Sequence, residues 1–207
     1  MIEQENLTER VLKGSFVVLI FTVLVSPIGF FIRILYSHTL SIEMYGLFYA
    51  VMALFAAITT YNNLGFGFSV SYLIPKFIKQ KKYATCWNIF SYNLLIEVGT
   101  AIITSFVIAF SAPWLAQNYF KVPQAVNLLY IFGIYLIGDS LLSAVIRLYI
   151  GLQREIYYSS THFLRLIFTL IFSIFFWFFD QPNVIFYAIA WSVGYILTAI
   201  IYFGLKI

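Results

Sequence analysis

Between Glu43 and Lys76 lie 32 consecutive residues without one charged side chain. The pattern recurs along the chain: residues 14–32, 98–120, 122–138, 166–179 and 181–205 are also charge-free and filled with Phe, Ile, Leu, Val and Tyr. A helix that crosses the ~30 Å hydrocarbon core of a bilayer needs about 20 mostly apolar residues. Only helices and closed barrels satisfy every backbone polar group there. The runs are too long and too uniform for the ~10-residue alternating strands of a membrane barrel. The sequence therefore predicts an all-α, polytopic membrane protein built as a bundle of six transmembrane helices.

Composition excludes the other classes. Hydrophobic residues make up 62% of the chain and charged residues 10%, against about 25% charged in soluble domains. Six spans with short connections use all 207 residues as a single transmembrane unit and leave no room for a soluble domain. The net charge of +4 comes from residues at span boundaries, so it points to membrane lipids as partners and not to nucleic acid. Cys86 is the only cysteine, which removes internal disulfides and cysteine metal clusters. Glu3, Glu5 and Glu9 make the leader acidic and no A-x-A site follows the first run, so that run reads as a retained span and not a signal peptide.

The spans are predicted at about 11–36, 45–73, 83–110, 124–150, 158–179 and 184–205. Asn6-Leu-Thr-Glu9 fits a capping box opening the first. Pro75 is expected to stop the second, because a helix does not readily continue through proline. Ser111-Ala-Pro113 is expected to end the third, and Asp180-Gln-Pro-Asn183 to form a turn joining the last two. Lys and Arg near span ends set orientation. Arg10, Lys13, Lys76, Lys79, Lys81, Lys82, Arg147, Arg154 and Lys206 fall on one side, Arg33 and Lys121 on the other. Nine against two predicts both termini in the cytoplasm, with the protein in the inner or plasma membrane. The Lys76–Lys82 cluster is the main anchor.

Chemistry, if present, lies in ionisable groups inside the bilayer, which are costly there and usually face the bundle interior or a hydrated cavity. Arg33, Glu97, Asp139 and Arg165 qualify. At ~1.5 Å per residue, Glu97 is about 20 Å from the start of its helix, Asp139 about 15 Å from the cytoplasmic end of its own, and Arg165 about 10 Å in. Asp139 and Arg165, on consecutive antiparallel helices, can pair as a structural clamp or as a transport element. Glu97 has no evident partner at its depth, which leaves a protonated carboxyl or a hydrated cavity. Arg33 either snorkels to the outer interface or reads a phosphate with its planar donor fork. Thr59, Thr60, Asn62, Asn63, Ser69 and Ser71, with Gly65 and Gly67, predict a stretch packed closely or lining a cavity. Gly133, Gly138, Ser140 and Ser143 form a similar stripe around Asp139.

Certain segments resemble a known family. A first span ends in Arg33-Ile-Leu, then Glu43-Met-Tyr-Gly-Leu47 opens the second, and Asn63-Leu-Gly-Phe-Gly67 lies near its close, before Tyr72-Leu-Ile-Pro-Lys76. This order resembles the amino-terminal region of polysaccharide transporters of the O-antigen flippase (Wzx) type, within the multidrug/oligosaccharidyl-lipid/polysaccharide exporter superfamily. Glu43, Tyr45, Gly46, Gly65 and Gly67 match its short motifs, where glycine has the plain role of close helix approach and tight turns. Family members carry two lobes around a central cavity. The chain resembles the first lobe alone, which implies a fragment or a half that assembles with a second chain.

The resemblance implies translocation of a polyprenyl-linked oligosaccharide. Arg33 and Arg165, with Asn62 and Asn63, would serve the anionic head group, and Glu97 or Asp139 would serve coupling or cavity polarity. A drug or cation exporter of the same superfamily, or a non-transporting assembly protein, would share the architecture. No enzyme, metal or cofactor motif competes, since His38 and His162 are the only histidines and lie far apart.

Overall fold

The structure, a computed structural model, describes residues 2–62, 65–179 and 183–205, excluding the side chains at 2–8, 10, 11 and 66. All regular structure among them is helical: α1 (Ile2–Thr39), α2 (Ile42–Asn62), α3 (Phe66–Lys79), α4 (Tyr83–Leu115), α5 (Ala125–Gly151), α6 (Glu155–Phe179) and α7 (Val184–Gly204). A π-helical turn, Ala116–Phe120, extends α4. Six helices are long and apolar enough to cross a membrane.

Three expected boundaries fall elsewhere. Helix α1 begins at Ile2, so Asn6–Glu9 lies inside it and not at a cap. Glu9 instead accepts from Lys13 one turn on, at 2.6 Å. Pro75 and Pro113 sit within α3 and α4, both of which run on past them. Proline removes one intrahelical bond, whereas unwinding in hydrocarbon would strand several backbone groups at several kcal/mol each. The helix therefore continues. The span predicted at 45–73 is interrupted: α2 ends at Asn62 and α3 starts after Gly65, whose φ of +80° only glycine adopts without strain. Of the turn predicted at 180–183, only Asn183 is described. It caps α7, its side chain accepting from the Ile185 amide at 3.0 Å.

Helix α5 is the axis of the bundle, buried on most of its circumference, with α7 next. Aromatic side chains fill the space between them and α2, where Phe48 and Phe55 meet Phe132 edge-on and tilted. Helix α1 is mostly exposed to the surroundings, and α6 is buried along one stripe only. Lipid is as apolar as leucine, so close packing and interhelical hydrogen bonds must hold such helices. Tyr36 of α1 hydrogen-bonds Ser173 of α6 at 2.9 Å and stacks on Tyr187 of α7. Tyr187 in turn donates to Thr39 at 2.8 Å.

Helices α6 and α7 touch backbone to side chain at Gly194. A Cβ there would collide with the Thr169 hydroxyl and lie 3.0 Å from the Arg165 carbonyl. Neither helix backbone can yield locally. Gly194→Ala should therefore cost about 2 kcal/mol, read as a lowered unfolding midpoint in micelles. An unchanged midpoint would mean that α6 and α7 are not so close.

Candidate functional site

The interruption of the second span is where the buried polar groups gather. With the helix stopped at Asn62, its carbonyl accepts from the Thr100 hydroxyl of α4 at 2.7 Å. The Asn62 amide group reaches two helices, donating to the Glu97 carbonyl at 3.2 Å and to Ser140 of α5 at 2.7 Å. Irregular backbone at membrane depth is tolerated only where protein covers it, and these bonds provide the cover.

Glu97, one turn from Thr100, is almost fully buried, at 1% exposure. Its Oε1 accepts from Asn93 at 3.1 Å and from Arg147 of α5 at 2.6 Å. The sequence reading left Glu97 unpartnered and counted Arg147 among the boundary cations, and both points are corrected here. The reason is a stagger between helices. Gly151, the last residue of α5, packs on Val70 and Ile74 of α3. Helix α5 thus ends roughly 10 Å short of Lys79, taking ~1.5 Å per residue. Arg147 is therefore level with Gly67 and with Glu97, not with the lysines of the α3–α4 turn. A Cβ on Gly67 would lie 2.6 Å from Cδ and Cζ of Arg147, so this glycine leaves the space that the guanidinium occupies. The signal that could have found Arg147 was the orphan carboxylate itself, together with a glycine on the neighbouring helix.

Asp139 does not pair directly with Arg165. It is half-buried, within electrostatic reach of Arg165, Arg147 and Glu97 at once. Arg165 turns to α7 instead. Its Nη1 donates to the Tyr195 hydroxyl and its guanidinium stands over that ring, 4.5 Å from the centroid. Two carboxylates and two guanidinium groups on α4, α5 and α6 thus form one electrostatic network, in which Glu97 and Arg147 are in direct contact. Among the described residues, Oε2 of Glu97, Oδ1 of Asn62 and Asn93, and Nε of Arg147 and Arg165 are buried without hydrogen-bond partners. The network holds unused donors and acceptors. No group of three or more His, Cys, Asp or Glu suited to a metal ion occurs among the described residues.

Other predicted residues stand apart. Arg33 is exposed and lies beside Tyr49, outside the network. Asn63 lies outside the described residues. Thr59 and Thr60 both donate to the Ala56 carbonyl, and Thr60 and Ser69 are exposed. A hydroxyl that satisfies itself on its own helix can face lipid at little cost. Glu43 is exposed in the first turn of α2, and Tyr45 packs on Tyr49. Gly46 has nothing within 4 Å of an added Cβ, so no close helix approach explains it. Gly133 receives the Ser105 hydroxyl of α4 on its carbonyl at 2.8 Å, and Gly138 packs on Ile196 of α7.

The sequence model of the family described as polysaccharide biosynthesis protein matches residues 11–205. The chain belongs to the polysaccharide biosynthesis protein family. As a member of that family with six membrane-length helices, it is a multi-pass membrane protein. A relative in Methanocaldococcus jannaschii, an uncharacterised membrane protein, is 27% identical over 203 residues. The alignment covers 93% of this chain and 39% of that relative, so the chain spans well under half of the relative's length. No solved structure matches. Within this polysaccharide biosynthesis family member, the matched region contains the interrupted second span and every residue of the charge network.

Proposed function

We propose that the protein is the amino-terminal lobe of a flippase that moves a polyprenyl-linked oligosaccharide across the cell membrane for surface polysaccharide synthesis. The observation that carries this reading is the charge network built on buried Glu97, with half-buried Arg147, Asp139 and Arg165, beside a broken span in a chain of the polysaccharide biosynthesis family. Ionisable groups at such depth are rare without a role in a pathway. Arg165, Arg33, Asn62 and Asn63 serve the anionic head group on this reading, while Glu97 and Asp139 tune the cavity or couple an ion. The guanidinium groups favour an anionic cargo over the cationic cargo of a drug exporter, for which carboxylates alone would suffice. A second lobe, from the same chain or another, completes the cavity, since alternating access needs two halves rocking around a site between them.

The test is restoration of surface polysaccharide in a flippase-deficient strain by the complete gene. Wild type should restore it, and Asp139→Leu and the double variant Glu97→Leu/Arg147→Leu should not, despite normal amounts of protein in the membrane. Restoration by both variants would remove the network from transport. Orientation has its own measurement. With Cys86 replaced, a cysteine at position 79 should resist impermeant thiol reagents in intact cells, and one at position 118 should react. The reverse result would place the termini outside.

A further inference from the structure

A groove of about 160 Å³ runs between α1 and α6, outside the charge network. Its α1 wall offers Val18, Phe21 and Val25, with Thr22 and Ser26 already donating to carbonyls of their own helix. Its α6 wall offers Tyr158, Ser159 and His162. Ser159 is 5% exposed, yet its hydroxyl has no hydrogen-bond partner among the described residues. His162 is exposed on the flank of its span, about 10 Å in from Glu155 at ~1.5 Å per residue. It likewise makes no hydrogen bond among the described residues. A buried hydroxyl normally has a partner, and a lipid-facing imidazole is costly without one.

The unused groups on this wall are a hydroxyl and an imidazole, each able to donate, and no carboxylate lines the groove. Glu155 lies one turn below, its side chain folded against Gly14. Arg165, one turn above, is within electrostatic reach of His162. The missing ligand is thus rich in acceptors and preferably anionic. The α1 wall is mostly apolar, and the protons of its two hydroxyls are already given to their own helix, which fits a phosphate on the α6 wall with hydrocarbon beside it. We propose that this groove binds a glycerophospholipid of the surrounding bilayer through its phosphate, held by Ser159 and His162. The inference does not depend on the transport reading.

The test titrates phosphatidylglycerol or diacylglycerol with matching acyl chains into the delipidated protein in micelles, with bound lipid counted by native mass spectrometry. Wild type should bind the phosphate-bearing lipid about tenfold more tightly than diacylglycerol, as hydrogen bonds to a charged group imply. Ser159→Ala should weaken that binding several-fold, and Ser159→Ala with His162→Leu should abolish the preference, whereas His38→Leu should leave it unchanged. Ser159→Ala removes a hydroxyl without a protein partner, so the unfolding temperature should not fall and lost binding cannot be lost fold. Equal binding of diacylglycerol, or full binding by Ser159→Ala, would overturn the proposal. Tighter binding of a polyprenyl phosphate than of phosphatidylglycerol would overturn the choice of lipid.

Discussion

Arg147→Leu should destabilise the protein by about 3–5 kcal/mol, because removing one partner of a buried ion pair leaves the other charge uncompensated. Glu97 is the charge left behind, 1% exposed and held then by Asn93 alone. The reciprocal variant, Glu97→Leu, should be nearly as harmful, since Arg147 would face Gly67 with no carboxylate in contact. The double variant Glu97→Leu/Arg147→Leu should recover most of the loss, as replacing both members of a buried pair with apolar groups is often neutral. Unfolding in denaturing micelles, followed by tryptophan fluorescence, gives the double-mutant cycle. Additive single losses would mean that the two side chains are not coupled. Transport, if the proposed function holds, should fail in all three variants, separating a stabilising role from a working one.

Gly67→Ala is expected to be nearly as damaging, at about 3 kcal/mol, through overpacking plus displacement of a buried charge. The new methyl would press on the middle of the Arg147 side chain, not its tip. An arginine free in solution would swing aside, but this one is pinned at 2.6 Å to Glu97. The methyl or the ion pair must give way. In an Arg147→Leu/Glu97→Leu background the same substitution should cost much less, since no buried charge is displaced. A cost equal in both backgrounds would show that Gly67 serves helix packing and not the guanidinium.

The helices were legible in the sequence because hydrocarbon enforces length and apolarity, and the predicted spans 124–150 and 184–205 agree with α5 and α7 to within a residue. What was not legible was where helices stop. Pro75 and Pro113 carry a local signal that the bilayer overrides, while the break at Gly65 follows from a glycine conformation and from bonds that Thr100 and Ser140 supply to Asn62 across space. The charged residues themselves stood out, since each interrupts an apolar run. Their pairing did not, because depth counted from a helix end assumes flush ends, and α5 stops short of α3. That stagger turned Arg147 from an apparent boundary cation into the partner of Glu97. Asp139 and Arg165 were at similar depth as reckoned, yet Tyr195 offered Arg165 a ring and a hydroxyl that no depth estimate could anticipate.

The ion pair joins two helices that are neighbours in sequence as well as in space. During synthesis α4 and α5 emerge ahead of α6 and α7. Arg147 alone would oppose partition of α5 into lipid by about 2.5–3.5 kcal/mol if it lay at the helix centre, and a buried carboxylate would hinder α4 in the same way. Together they are a neutral unit, complete once Gly151 has emerged. The axis of the finished bundle thus carries charges that lipid alone would reject, and the chain places that helix directly after the one that carries a counter-charge.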